Sequence, residues 1–126
     1  MKDTIKKEKQ AIPQIILIDG DTEYQGVMGS YCWDEICVDY AKPSERQDYS
    51  EKIFIKKDAN ITFKVFSDIN PDQLHLTVFA GDKIMLHQTI NTHMKMRVPK
   101  GEYFLNLKAT WKDKGDVSNV FLVEIR

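Results

Sequence analysis

The sequence predicts an all-β fold, specifically a two-sheet antiparallel β-sandwich of the immunoglobulin-like type. Many short runs of β-favouring residues are each bounded by Gly, Pro, Asn or Asp, a spacing that is typical of sandwiches and barrels. Residues 103–111 alternate between apolar and polar side chains, which is the pattern of a strand with one buried face. No stretch of about a dozen residues keeps a helical period, so the prediction contains no helix.

The turn signals divide the chain into a polar N-terminal stretch and a series of strands. Residues 1–12 are charged and aperiodic, which predicts a flexible linker or tail, and residues 13–126 are predicted to form a single β-sandwich domain. The lysines of the N-terminal stretch leave a tether near an anionic membrane surface as an alternative. The predicted strands cover about residues 14–18, 23–33, 36–40, 52–56, 60–66, 73–80, 84–90, 93–98, 102–112 and 117–125.

Two local patterns add detail to this sandwich. The hairpin around Gly81 keeps one face apolar only if Val78 pairs with Leu86, which requires a loop with an odd number of residues or a β-bulge. Tyr103 follows a glycine-containing turn and opens a strand near the C-terminus. This position is similar to the tyrosine corner of immunoglobulin-like domains.

Composition excludes several classes of protein. The length of 126 residues is enough to bury roughly 65–70% of the surface that the unfolded chain exposes, so the core needs no metal to fold. The net charge of −1 provides no basic excess for a nucleic-acid binder. Neither a membrane-spanning segment nor a signal peptide is visible. The chain is therefore expected to be either cytoplasmic or the mature part of an exported protein.

The two cysteines are the most informative pair in the sequence. If Asp34 and Glu35 form a two-residue turn, Cys32 and Cys37 fall opposite each other at a non-hydrogen-bonded position, with Cα atoms roughly 4.5 Å apart. Asp-Glu is a poor turn of this kind, because neither residue favours positive φ. We predict a structural disulfide, which implies an oxidising compartment. The alternatives are two reduced, packed cysteines in a cytosolic protein, or a metal or redox role.

Residues around these cysteines form a candidate interaction surface, consisting of Tyr31, Trp33, Asp34, Glu35 and Asp39. The two aromatic residues could bind a sugar or a peptide, or one of them could pack into the core. The three acidic residues could bind calcium with two further aspartates upstream, or could be ordinary turn and edge charges.

The remaining chemistry-bearing residues do not form a recognisable catalytic motif. Ser30 lacks a nucleophile-elbow context, and no Gly-rich phosphate loop occurs. His75 and His87 are predicted to share the outer face of one hairpin, but no carboxylate is placed to complete a metal site with them. We therefore predict no catalytic residue, no metal, no cofactor and no enzymatic activity.

Several short segments, spread over residues 13–125, follow the pattern of a known family. They are Pro13-Gln14-Ile15-Ile16-Leu17, Gly29-Ser30-Tyr31-Cys32-Trp33, Cys37-Val38-Asp39, Ile61-Thr62-Phe63, and Gly101-Glu102-Tyr103 with Ala109-Thr110-Trp111. In these segments the chain resembles a family of small extracytoplasmic domains from Bacillus and related Firmicutes, often found in lipoproteins. The resemblance implies an exported domain on the outer face of the membrane, with a possible membrane tether through a leader absent from this chain. It brings no catalytic residues.

These observations lead to an expected function. We expect a non-catalytic, extracytoplasmic, cell-surface-associated interaction or sensory module that binds an unknown protein or cell-envelope ligand, and no nucleic acid. Loops 19–23, 41–51 and 113–116 would hold the partner surface. The main alternative is a protease-inhibitor-like β-sandwich that presents segment 41–51 as its inhibitory loop. An enzyme that uses the acidic group with a metal is a third hypothesis, and a cytoplasmic location remains an alternative.

Overall fold

The computed structural model describes residues 12–126, so the predicted N-terminal linker lies outside the described residues except for Ile12. Apart from one 3-10 turn at Pro43–Glu45, the regular elements of this part are all strands. No helix within it is long and apolar enough to cross a membrane. The strands are β1 (Gln14–Asp19), β2 (Thr22–Gln25), β3 (Val27–Trp33), β4 (Ile36–Val38), β5 (Ile53–Ile55), β6 (Asn60–Phe66), β7 (Gln73–Ala80), β8 (Lys83–Ile90), β9 (His93–Lys95), β10 (Gly101–Trp111) and β11 (Gly115–Ile125).

The strands form two sheets that pack face to face, which confirms the predicted β-sandwich. The smaller sheet has the order β2-β1-β6-β9. The larger sheet has the order β4-β3-β11-β10-β7-β8, with β5 added to β11 in parallel beyond the end of β3. All other pairings are antiparallel.

The core lies between the inner faces of the two sheets, as the alternating pattern of residues 103–111 predicts. Leu105, Leu107 and Ala109 of β10 are fully buried there. Asn119 is a buried polar residue of this region, and its Oδ1 accepts a hydrogen bond of 2.6 Å from the backbone N–H of Ile15. Because β1 and β11 belong to different sheets, this bond ties the sheets together.

The predicted strand at 23–33 is wrong in one respect, because Gly26 divides it into β2 and β3. A Cβ atom at this position would lie 2.5 Å from the carbonyl oxygen of Val120, a distance that side chains do not tolerate. The glycine therefore allows the chain to pass close to β11 as it crosses from the smaller sheet to the larger one. The predicted strand at 93–98 also ends early, because the N–H of Met96 donates to the carbonyl of Ala59 outside the ladder.

Both local predictions for the larger sheet are confirmed. Val78 pairs with Leu86, and a β-bulge between Val78 and Phe79 keeps the apolar face inward across the hairpin of β7 and β8. Tyr103 forms the predicted corner, since its hydroxyl donates a hydrogen bond of 2.7 Å to the carbonyl oxygen of Pro99.

Candidate binding groove

A disulfide-closed hairpin forms one end of the larger sheet. Cys32 in β3 pairs directly with Cys37 in β4, with their Cα atoms 4.0 Å apart and their sulfurs bonded. The turn between them consists of Asp34 and Glu35, whose φ angles are 51° and 70°, a left-handed conformation that non-glycine residues rarely adopt. Lys114 holds this turn, because its Nζ donates to Asp34 Oδ1 at 3.0 Å and its carbonyl accepts the Asp34 N–H.

The predicted disulfide between Cys32 and Cys37 is therefore confirmed, and the reduced and metal-binding alternatives for the two cysteines are wrong. Structural disulfides persist in oxidising environments and are rare in the cytosol. The bridge indicates that the chain is extracellular.

A groove of about 520 Å³ lies on the outer face of the larger sheet beside this hairpin, and we call it the outer groove. Its floor includes the outward-pointing side chains Asn106 and Lys108 of β10 and Asp116 and Ser118 of β11. The register places Lys108 directly opposite Ser118. Since alternate residues of these two strands fill the core, the packing of the inner face fixes the floor of the groove.

The connection between β4 and β5 forms a wall of the outer groove through residues 39–43 and Arg46. The Arg46 side chain is only 5% exposed. It donates one hydrogen bond of 2.5 Å to the carbonyl of Met28 and two, of 3.0 and 2.6 Å, to the carboxylate of Asp48. The hydrogen bonds from Arg46 hold the pKa of the Asp48 carboxyl below its usual value. The guanidinium also lies 4.7 Å from the ring centre of Tyr40, so it supports the aromatic part of the wall.

Tyr49 attaches the same connection to the sheet from its other end. Its ring packs against Phe104 of β10, with 5.6 Å between ring centres, and its hydroxyl donates to the carbonyl of Pro43 at 2.8 Å. Burial raises the pKa of Tyr49 to about 12, and Asp48 adds to this effect while Arg46 opposes it. The wall is thus built from specific contacts at both ends.

The outer groove contains polar side chains that have no hydrogen-bond partner among the described residues. Within residues 12–126, the side chains of Asn106, Lys108, Asp116 and Ser118 form no hydrogen bond or ion pair with another side chain or with the backbone. Asn106, Lys108 and Asp116 present an amide, an ammonium and a carboxylate, which include both donors and acceptors, while Ser118 is only 6% exposed. Tyr40 adds an aromatic surface at the wall. This arrangement suits a polar ligand with an apolar face.

The structure divides the predicted interaction residues between different places. Tyr31 and Asp39 border the outer groove, although Tyr31 also packs against the core. Asp34 and Glu35 form the exposed hairpin turn. Trp33 is only 7% exposed and lies in the core, so the prediction that it forms part of an exposed surface is wrong.

The environment of Trp33 explains its burial. Its ring packs edge-on against Trp111 with 5.0 Å between ring centres, because both residues point to the inner face of the larger sheet. The alternative in which one of the two aromatic residues packs into the core is therefore correct.

Sequence reasoning missed the residues that shape most of the outer groove. Asn106 and Lys108 occupy the polar positions of the alternating strand, so the pattern indicates that they point outward, but a polar position alone does not indicate a ligand. Ser118, Tyr40 and Arg46 carry no local signal, because only the fold of the β4–β5 connection brings them to the same place.

The three histidines of the chain all lie in the described part. His75 and His87 share the outer face of the β7–β8 hairpin, as predicted, with parallel rings 6.1 Å apart between centres. Their Nδ1 atoms are hydrogen-bonded to Thr89 and Thr77 of the opposite strand. His93 lies in β9 of the other sheet. Within residues 12–126, no group of three His, Cys, Asp or Glu side chains is placed to hold a metal ion.

Comparison with known proteins identifies similar folds but no family. No protein-family model and no curated protein matches this sequence. Among solved structures, the chain is similar to a Bacillus amyloliquefaciens CBM33 in complex with Cu(I), with a TM-score of 0.50 and 16% identity over 70% of this chain and 63% of that one. A Jonesia denitrificans lytic polysaccharide monooxygenase matches with a TM-score of 0.44 and 15% identity over 64% of this chain and 61% of that one. The chain thus spans less than two thirds of the length of each of these two neighbours.

These neighbours correct the functional expectations drawn from the sequence. The expectations of a non-catalytic module and of no enzymatic activity are contradicted, because they rested partly on the type of fold, and the CBM33 neighbour of this fold holds Cu(I). The protease-inhibitor alternative is not favoured either, since Arg46 and Tyr49 bind segment 41–51 to its own sheet. At these identities the likeness shows the fold alone.

The copper of the CBM33 neighbour provides a test of the residues in this chain. Copper is well served by imidazole ligands, and a site needs several that converge. Here the fold separates His93 from the pair formed by His75 and His87, and no described carboxylate or thiolate completes that pair. The described residues do not fit a three-ligand copper centre, and we derive no chemical step through copper.

Proposed function

We propose that this chain recognises a neutral saccharide chain through the outer groove. The observation that carries the proposal is the set of accessible polar side chains on the groove floor that have no partner within the described residues, namely Asn106, Lys108 and Asp116. Sugar hydroxyls both donate and accept hydrogen bonds, so they can satisfy an amide and two charged groups at once. Recognition of this kind is a step that a saccharide-modifying enzyme also requires.

The aromatic wall supports the same class of ligand. Tyr40 is partly exposed, and its ring is held in place by the guanidinium of Arg46. A sugar ring has one apolar face of C–H groups, which can pack on an aromatic ring while the hydroxyls at its edge reach polar side chains. The groove therefore has an aromatic wall for the apolar face of a sugar ring and a polar floor for its hydroxyl groups.

The charges of the outer groove favour a neutral ligand over a charged polymer. Lys42 and Lys108 are balanced by Asp39 and Asp116, and the charge of Arg46 is neutralised by a carboxylate outside the groove. The groove therefore has no net charge that would attract a polyanion or a polycation.

The proposal is tested by binding to a printed array of neutral and charged glycans, followed by calorimetry with the neutral glycan that binds best. We expect the variant Asn106→Ala to bind this glycan about ten-fold more weakly, because it loses hydrogen bonds worth roughly 1–1.5 kcal/mol. Thr110→Ala is the matched control, since it alters the same face of β10 outside the groove. Mass spectrometry of the incubated glycan detects any chemical change, so the experiment reads binding and turnover together.

Two results would contradict this function. One is the absence of binding to every neutral glycan on the array. The other is equal affinity of Asn106→Ala and the wild-type chain for the bound glycan, because the ligand would then lie outside the outer groove.

We also propose that the chain is associated with the cell surface, which the resemblance to Bacillus lipoprotein-associated domains implies. The disulfide between Cys32 and Cys37 supports an extracellular location but leaves the mode of attachment open. Fractionation of the native host tests this point. We expect the chain in the cell-envelope fraction, and recovery from the culture medium alone would contradict attachment.

A further inference from the structure

Within residues 12–126, the edge strands of the two sheets differ sharply in how well they are protected. Edge strands present unpaired backbone groups that can pair with another chain, and proteins usually protect them by shortness, charge, proline or β-bulges. The edges β2, β4, β5 and β9 have only 4, 3, 3 and 3 residues. The strand β4 is also fixed by the disulfide at Cys37. The remaining edge, β8, has 8 residues and no crosslink.

The sequence of β8 offers little protection to this edge beyond Lys83 at its start and the β-bulge that it forms against β7. From Ile84 to Ile90 it reads Ile-Met-Leu-His-Gln-Thr-Ile, with no Asp, Glu, Lys, Arg, Pro or Gly. Ile84 is 57% exposed and Met85 is 38% exposed. An uncharged, β-favouring segment on an open edge is the composition that pairs readily with a further strand. Within residues 12–126, β8 has β7 on one side and no strand on the other.

A cleft of about 680 Å³ runs beside this edge, between β8 of the larger sheet and β9 of the smaller one. Its apolar lining includes Met85, Leu86, Ile90, Met94 and Val98. We call this space, together with the open side of β8, the edge cleft. A strand added to β8 would place alternate side chains toward the apolar lining of the cleft, because side chains of a strand alternate between its two faces.

The charge of the edge cleft has one sign. The charged residues of its lining are Lys95 and Arg97, and it includes no acidic residue. Lys95 and Arg97 are exposed, and neither forms an ion pair with a described residue. A partner that fills the cleft is therefore attracted if it carries carboxylates.

We propose that the edge cleft docks an extended, acidic segment of another protein, which adds to β8 as a further strand. The backbone of the segment would pair with the open edge of β8, its apolar side chains would enter the cleft, and its carboxylates would meet Lys95 and Arg97. A second copy of this chain is the less suitable occupant, because it would bring two basic clefts to one interface. This surface is separate from the outer groove, so the proposal stands independently of saccharide recognition.

The test is selection from a phage library of random linear 12-residue peptides on the immobilised chain, followed by synthesis of the enriched peptide. We expect enriched sequences to alternate apolar residues and to carry a net negative charge. Binding should fall at least ten-fold in Met85→Glu, which places a carboxylate on the edge, and in the double variant Lys95→Glu and Arg97→Glu. Lys112→Glu is the matched control, because it makes a similar charge change at an exposed position outside the cleft.

Hydrogen exchange identifies the site of docking. The bound peptide should slow amide exchange within residues 84–90 and leave the outer groove unchanged. Thermal melts of each variant, followed by circular dichroism, establish that the fold is retained. The proposal is overturned if no peptide is enriched, if enriched peptides lack acidic residues, or if they bind Met85→Glu as well as the wild-type chain. It is also overturned if light scattering shows a dimer whose β8 amides are already protected, since the occupant would then be a second copy.

Discussion

The two faces of β10 are stabilised in different ways, although they belong to the same strand. The inner face packs Leu105, Leu107 and Ala109 into a continuous apolar core. The outer face carries Asn106 and Lys108, and is covered only in part by a connection held through a few specific contacts. Apolar packing therefore holds the inner face in place, while the outer face keeps polar groups free for a ligand because few of its side chains stabilise the fold.

The largest difference between the faces should appear on truncation of neighbouring residues. Leu107 is fully buried, so Leu107→Ala leaves a cavity and should lower the free energy of unfolding by about 2–5 kcal/mol. Lys108→Ala removes an exposed side chain from the other face and should change it by less than about 0.5 kcal/mol. Urea denaturation of both variants checks this contrast. A loss of several kcal/mol in Lys108→Ala would show that the outer face also stabilises the fold.

A smaller effect is expected from the disulfide, which holds one end of the outer face. Replacing Cys32 and Cys37 together by serine opens a short loop, and the chain-entropy argument gives a loss of about 2 kcal/mol. The turn of this hairpin requires positive φ angles, which Asp34 and Glu35 disfavour. The amides of the hairpin should therefore exchange faster in the double variant than in the wild-type chain. Urea denaturation and hydrogen exchange measure the two effects. Unchanged exchange in the hairpin would show that Lys114 alone holds the turn.

The inner face could be predicted closely from the sequence, and the reason is physical. Burial forces a period of two on the apolar residues of β10, so the pattern in residues 103–111 directly records which side faces the core. The same reasoning predicts an odd loop or a β-bulge in the β7–β8 hairpin, since a one-residue slip would expose a whole apolar face, and the structure has the bulge next to Val78. Some strands end because of a close contact between distant segments, as at Gly26 against Val120. The alternation of apolar and polar residues does not indicate where such a strand ends.

The outer groove was only partly predictable for the same reason. The turn at Asp34 and Glu35 is local, so the spacing of the cysteines was enough to predict the disulfide. The sequence is consistent with both a surface and a core position for Trp33, because an aromatic residue beside a turn suits either until its partner Trp111 is known. Arg46 reaches the carbonyl of Met28 across 18 positions of the chain, and nothing in the local sequence indicates that contact.

The smallest expected effect is a pH dependence confined to the wall of the outer groove. Burial raises the pKa of Tyr49 to about 12, while an unfolded tyrosine titrates near its ordinary value of about 10. Because the folded chain favours the neutral phenol, the stability contributed by Tyr49 is fully present below pH 10. It is lost as the pH rises from about 10 to about 12, where the unfolded chain releases this proton and the folded chain does not.

Tyr49→Phe isolates this titration, since it keeps the ring against Phe104 and removes only the hydroxyl that donates to Pro43. The difference in absorbance at the tyrosinate band between the wild-type chain and the variant reports Tyr49 among the five tyrosines. We expect a midpoint near 12 in that difference, and a stability difference between the two chains that shrinks above pH 10. A midpoint near 10 would mean that the β4–β5 connection leaves Tyr49 open to water. In that case the wall would be mobile in spite of the contacts of Arg46 and Tyr49. The inner and outer faces of β10 would then differ more in rigidity than these contacts indicate.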